Sequence, residues 1–122
     1  MIFKDHTFGD MIARYVKDEH TEQVGLMLLP QTTVSQVRPK KFKIDPLVQL
    51  KFVGDAYPGA FAHGHSMRGS GTIDGLKFEE FREIGRDDGT TVVAGWRSSN
   101  SCRIEHHLLH YEGYHALESY TV

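Results

Sequence analysis

The chain has 122 residues, of which 39% are hydrophobic and 25% charged, with a formal net charge of -2 at pH 7. This length predicts one domain that buries roughly two-thirds of its unfolded surface. The nearly balanced charge provides no positive field for nucleic acid or an anionic membrane, so neither is an expected partner. Cys102 is the only cysteine, which excludes an internal disulfide and is typical of a reducing compartment.

The N-terminal part of the chain predicts two strands. Its first eighteen residues contain no apolar run long enough for a signal peptide or a membrane span, so the chain is expected to be cytoplasmic. Met11 to Val16 and Val24 to Leu29 are predicted strands, and the polar residues 17–23 between them predict a hairpin or meander. Residues 31–45 are interpreted as a solvated connector that contains Pro39 and three lysines.

Turn signals divide the rest of the chain into further strands. Asp87 and Asp88 are interpreted as turn formers, and residues 98–101 and 112–113 as two further turns. The predicted strands are Leu47 to Val53, Leu76 to Ile84, Thr90 to Arg97, Cys102 to Tyr111 and His115 to Val122. The fold class is therefore all-β, an antiparallel β-sandwich with little or no helix. Residues 1–122 are predicted as one β domain, with 1–46 as its opening meander and linker.

The segment Leu76 to Ile84 is ambiguous between strand and helix. Phe78, Phe81 and Ile84 fall at helical spacing, and the glutamates between them favour a helix. Its place in a series of strands separated by turns favours a strand instead. We predict a strand.

Residues 54–71 form the most distinctive stretch, a polar loop with five glycines. Ordering such a loop costs backbone entropy, so loops of this kind persist mostly where they bind something. Aromatic faces and planar polar groups are the chemistry that contacts sugars. The predicted carbohydrate-contact residues are Asp55, Tyr57, His63, His65 and Arg68. In the alternative interpretation, Tyr57 and Phe61 fill the core and Arg68 pairs with a carboxylate.

The histidines of the chain suggest a metal site as another hypothesis. His63 and His65 could reach one metal ion, as in cupins, but no glutamate follows them at cupin spacing. On a strand, His106 and His110 share one face while His107 points away, and a half-exposed polar face is the simpler interpretation. Trp96 shares a face with Val92 and Ala94, so a core position is expected. No cofactor is predicted.

The order of these segments resembles a known enzyme domain. The succession LVQLKFVGDAYPGAFAHGHSMRGSGT, LKFEEFREI, TTVVAGW and CRIEHHLLHYEGYHALESYTV is similar to the N-terminal domain of glycoside hydrolase family 36 α-galactosidases. The resemblance covers residues 47–122, and it implies a β-supersandwich that precedes a (β/α)₈ barrel. It also implies retaining hydrolysis by two aspartates of that barrel. No catalytic residue is carried over, and the arginine of the family's loop lies nearest Arg68.

The resemblance implies a non-catalytic domain of an α-galactosidase-like enzyme that supports the structure, forms oligomer contacts and meets a galactoside-type carbohydrate through 54–71. A stand-alone carbohydrate-binding β-sandwich and a cupin-like metal-binding protein are the alternatives. The final residues, LESYTV, continue as strand without a stop signal. They predict a chain cut within a sheet, whose open edge favours a homo-oligomer or strand exchange.

Overall fold

The fold is described by a computed structural model for residues 2–38, 44–50, 52–55 and 71–122. Within these ranges the chain forms a single 3₁₀ turn at Val34–Gln36, one short helix, α1 (Gly71–Asp74), and seven strands. The strands are β1 (Ile2–Phe8), β2 (Met11–Lys17), β3 (Val24–Pro30), β4 (Lys77–Arg86), β5 (Gly89–Arg97), β6 (Arg103–Tyr111) and β7 (Leu117–Thr121).

The strands form two antiparallel sheets in simple sequential order. β1, β2 and β3 make the first sheet, and β4, β5, β6 and β7 make the second. Each neighbouring pair within a sheet is antiparallel. The predicted all-β antiparallel sandwich with little helix is therefore confirmed. β1 is an addition, because the sequence analysis predicted no strand before residue 11.

The core lies where the two sheets face each other. Val92, Ala94 and Trp96 point inward from β5, and Trp96 is only 3% exposed. This confirms the predicted core position of Trp96. Aromatic rings join the sheets, since Tyr15 of β2 lies 4.7 Å from Phe81 of β4 between ring centroids. Burial of these large apolar side chains is the main force that holds the sheets together.

A β-bulge in β4 explains the helix-like spacing of its phenylalanines. The pairing of β4 with β5 shifts register between Phe78 and Glu80, which places one extra residue in β4. In a regular strand, residues three apart point to opposite faces. The extra residue restores a common face, so the rings of Phe78 and Phe81 lie 4.8 Å apart and both pack against the core. The predicted strand is confirmed, and the apparent helical period came from the bulge.

The predicted strand from Leu47 to Val53 is wrong for the described residues of that segment, none of which lies in a strand. The backbone touches β3 through a hydrogen bond from the Leu47 N–H to the Val24 carbonyl, 2.8 Å long. Val48 is buried in the core, whereas Val53 is fully exposed in a turn. The alternating apolar residues therefore pack an irregular segment onto the core instead of forming a ladder.

The connections between strands cluster at two opposite ends of the sandwich. We call the first the turn end, formed by the β1–β2 turn at Gly9 and Asp10, the β4–β5 turn at Asp87 and Asp88, and residues 112–116. We call the second the loop end, formed by residues 18–23, 71–76 and 98–102. The predicted turns at 87–88, 98–101 and 112–113 all fall between strands, as expected. Cys102 is exposed just before β6, so it is not a core residue.

Candidate functional site

The predicted carbohydrate-contact residues lie mostly beyond the part of the chain that the structure describes. Tyr57, His63, His65 and Arg68 fall within residues 56–70, outside the described ranges. Their roles stay predictions. Asp55 is described, at the loop end of the sandwich.

The carboxylate of Asp55 takes part in closing the base of the segment 56–70. Its Oδ2 accepts a hydrogen bond from the Phe52 N–H at 2.8 Å and another from the hydroxyl of Thr72. The Asp55 N–H donates in turn to the Phe52 carbonyl at 3.0 Å. These bonds tie the residues before the segment to those after it.

The C-terminal side of this segment is anchored in the core. Helix α1 buries Thr72 and Ile73, and Leu76 follows it into the core. The side-chain amide of Gln23, at the end of the β2–β3 connection, donates to the Ile73 carbonyl at 3.0 Å in a buried position. A buried bond of this kind is costly to leave unmade, so it helps to fix residues 71–76 on the sandwich.

The turn end carries an open cleft of about 730 Å³. The side chains that line it combine two tyrosines with three carboxylates and a small residue. They are Asp87, Asp88, Tyr111, Glu112, Tyr114 and Ala116.

Two turns form the cleft because they are held together through the backbone. Gly89 begins β5 opposite Tyr111, and a Cβ at this glycine would lie 1.8 Å from the carbonyl oxygen of His110. Only glycine permits this approach. Beside it, the Glu112 N–H donates to the Asp88 carbonyl at 2.7 Å. Asp88 and Glu112 are therefore held close to each other by the register of the sheet.

The two tyrosines of the cleft differ in the contacts that their side chains already make within the protein. The hydroxyl of Tyr111 donates to Glu118 at 2.8 Å, and the guanidinium of Arg86 lies 4.7 Å from its ring centroid. Arg86 also donates to the His110 carbonyl at 3.0 Å. Tyr114, in contrast, is 69% exposed. Its ring offers an apolar face beside carboxylates that accept hydrogen bonds, the combination that sugars require.

The sequence analysis did not single out this cleft. Its tyrosines lie in the stretch HYEGYHA, which combines aromatic, carboxylate and glycine residues much as residues 54–71 do. This similarity in composition is the feature of the sequence that could have indicated a second contact surface. For the C-terminal stretch, the strand pattern, the turn at 112–113, the histidines and the family resemblance predict no ligand contact.

The described residues contain neither a metal-binding cluster nor a helix that could span a membrane. No group of three or more histidine, cysteine, aspartate or glutamate side chains there could hold a metal ion. The predicted pair His63 and His65 lies outside those ranges. No helix among the described residues has the length and apolar character needed to cross a membrane.

Comparisons with family models, with curated proteins and with solved structures each returned no match for this chain.

Proposed function

We propose that this chain is a non-catalytic β-sandwich that contacts carbohydrate. The observation that carries the proposal is the turn-end cleft, where the exposed ring of Tyr114 stands beside the carboxylates of Asp87, Asp88 and Glu112. An aromatic face packs against the C–H surface of a pyranose, and carboxylates accept hydrogen bonds from its hydroxyl groups. The cleft is open to solvent, which gives a sugar direct access to these groups.

The sugar class follows from the family resemblance, and we propose a terminal galactoside. The resemblance to the N-terminal domain of family 36 α-galactosidases also supports a non-catalytic role, because that family hydrolyses its substrate in a separate barrel. No hydrolysis of a chromogenic α-galactoside by the purified chain is expected. Measurable turnover would contradict the non-catalytic role directly.

The binding test is a titration of the isotopically labelled chain with galactose and an α-galactoside, followed by amide chemical shifts. We expect saturable shifts at residues 111–116 and 87–88. Tyr114→Ala should weaken binding about 5- to 10-fold, which corresponds to the roughly 1 kcal/mol of one aromatic contact. Tyr120→Ala is the matched control, because Tyr120 is exposed on β7 and does not line the cleft.

The position of the shifts separates two versions of the proposal. Shifts confined to Asp55, Thr72 and the segment between them would move the contact to the predicted loop and reject the cleft. Saturable binding that Tyr114→Ala leaves unchanged would also reject the cleft. The absence of binding to either sugar would reject carbohydrate contact altogether.

A further inference from the structure

The last strand, β7, contributes little to the core of the sandwich. It lies at the edge of the second sheet and pairs with β6, from His106 opposite Thr121 to His110 opposite Leu117. Four of its five residues are exposed, and only Leu117 packs partly against the core. An edge strand of this kind opens at a lower free-energy cost than a central strand.

One buried histidine lies beneath this strand. His106 is 3% exposed and shares the inner face of β6 with Ile104 and Leu108. Its Nε2 atom lies 2.7 Å from the hydroxyl oxygen of Ser119 on β7. Its Nδ1 atom is buried and has no hydrogen-bond partner in the structure. The imidazole therefore depends on β7 for this side-chain hydrogen bond.

Few titratable groups surround His106 in its own sheet. Its β5 partner is Ala94, which is flanked by Val93 and Gly95, and its β7 neighbours are Ser119 and Thr121. None of these five residues carries a charge.

Four ionisable side chains of β6 lie within four residues of it, of which Arg103 is exposed. His107 stacks on the ring of Tyr120 on the outer face, at 4.7 Å between centroids, and lies 3.0 Å from Glu105. His110 is on the inner face, 3.2 Å from the Tyr114 carbonyl.

The facing sheet contributes Tyr15 to the core, and its His6 ring contacts the carboxylate of Glu83 of β4. Burial raises the pKa of Tyr15, which keeps this hydroxyl neutral. Among the described residues, the hydroxyl of Ser119 is the side-chain hydrogen-bond partner of His106, so the ring has no carboxylate partner there.

We propose that β7 is an acid-released strand, with protonation of His106 as the trigger. The imidazolium carries two N–H donors, and the one at Nδ1 would have no acceptor in the core. A charge buried without a partner is strongly unfavourable. Among the described strands, β7 is the one that separates β6 from the sheet edge, so detaching β7 would hydrate the ring while β4, β5 and β6 stay paired.

The direction of the pH effect follows from the two states of this ring. Burial, and then the neighbouring His107, lower the pKa of His106 to about 4 from its ordinary 6.5. With β7 released, the ring is hydrated and binds a proton at about its ordinary pKa. Between these two pKa values the released state binds more protons than the paired state. Each unit of fall in pH therefore shifts the equilibrium toward release by up to about tenfold. Above the ordinary value the effect vanishes.

Release would have a structural consequence at the sheet edge. It would turn β6 into an edge strand with an unpaired row of backbone N–H and C=O groups. Such a row can pair with a strand from another chain.

The test measures hydrogen exchange of individual amides at about pH 7 and about pH 5, corrected for intrinsic rates. Protection of the amides that join β6 and β7 should fall roughly 20-fold between these pH values, as the pKa of about 4 in the paired state and the ordinary pKa in the released state imply. Amides that join β4 and β5 should keep their protection. In His106→Gln, which has a neutral amide at this position, the acid-dependent loss should disappear. His107→Gln is the matched control and should retain it.

Three results would overturn the proposal. The first is equal loss of protection in β4–β5 and β6–β7, which would mean global unfolding. The second is an unchanged acid effect in His106→Gln. The third comes from the wild-type chain alone and holds even if the variant does not fold. NMR follows the imidazole titration of His106 in the folded chain, and protection of β7 should fall with acid from about the ordinary pKa of histidine and level off below the midpoint of that titration. A loss of β7 protection that begins only below this midpoint, or that continues undiminished far below it, would reject the coupling.

Discussion

The two ends of this sandwich are stabilised in different ways. At the turn end, two neighbouring connections meet through the backbone, in the close approach of Gly89 to His110 and the hydrogen bond from Glu112 to Asp88, and the side chain of Arg86 adds a bond to the His110 carbonyl. At the loop end, each connection has its own backbone bonds, and side chains join one connection to another, with Gln23 bonded to Ile73 and Asp55 bonded to Thr72.

This difference bears on where a ligand could be contacted. Side chains that hold a connection in place are already engaged, as the carboxylate of Asp55 is. Where the backbone joins the connections, side chains such as Tyr114 remain largely exposed. Among the described residues, the turn end is therefore the better contact surface.

The largest effect is expected for Gly89→Ala at the turn end. The new Cβ would lie 1.8 Å from the His110 carbonyl oxygen, so the β5–β6 ladder must shift at its first pair. Forced overpacking against backbone should lower the free energy of unfolding by about 3 kcal/mol. Urea unfolding of the variant and wild type measures this difference.

Gly85→Ala is the matched control, because Gly85 lies in the same hairpin with open space around its Cα. Its change should stay within about 0.5 kcal/mol. If Gly89→Ala unfolds at the same urea concentration as this control, the backbone approach does not hold the turn end together.

A smaller effect is expected for Gln23→Ala at the loop end. This variant removes the buried hydrogen bond to the Ile73 carbonyl and should cost about 1 to 2 kcal/mol. The amides of Gly75 and Leu76, which donate to Gly71 and Ile73, should also exchange faster.

Gln31→Ala provides the comparison for that experiment, since Gln31 is an exposed glutamine at the turn end. It should leave both the stability and the exchange of these amides unchanged. Equal effects of the two variants would mean that the Gln23 bond does not anchor α1.

Most strands could be predicted from local patterns, because their alternating apolar residues and flanking turn residues agree with the tertiary structure. β5 has Val92, Ala94 and Trp96 on one face and turn residues before it, and the structure buries all three. The same parity argument placed His106 and His110 on one face of β6 and His107 on the other, as observed. It did not show that this face points into the core, because alternation gives two faces without saying which is buried.

Other features depended on pairing that a single sequence does not contain. The segment Leu47 to Val53 alternates like a strand but has no partner ladder beyond its contact with Val24. β1 was missed because IFKDHTF mixes charged and apolar residues, and its charges are satisfied by neighbours such as Arg14, which bonds Asp5 twice at 2.8 Å. The turn-end cleft was missed since its residues, Asp87 and Tyr114 among them, meet only after β5 and β6 pair.

The smallest effect on stability is expected for Tyr114→Ala. Because this side chain is 69% exposed, its loss removes little buried apolar surface, and the free energy of unfolding should change by less than about 0.5 kcal/mol. Thermal unfolding of the variant beside wild type measures it. A loss above about 1 kcal/mol would show that the Tyr114 ring supports the connection between β6 and β7. The contrast between the two ends of the sandwich would then fail. Unchanged stability together with weakened sugar binding would indicate that Tyr114 contributes to binding and not to folding.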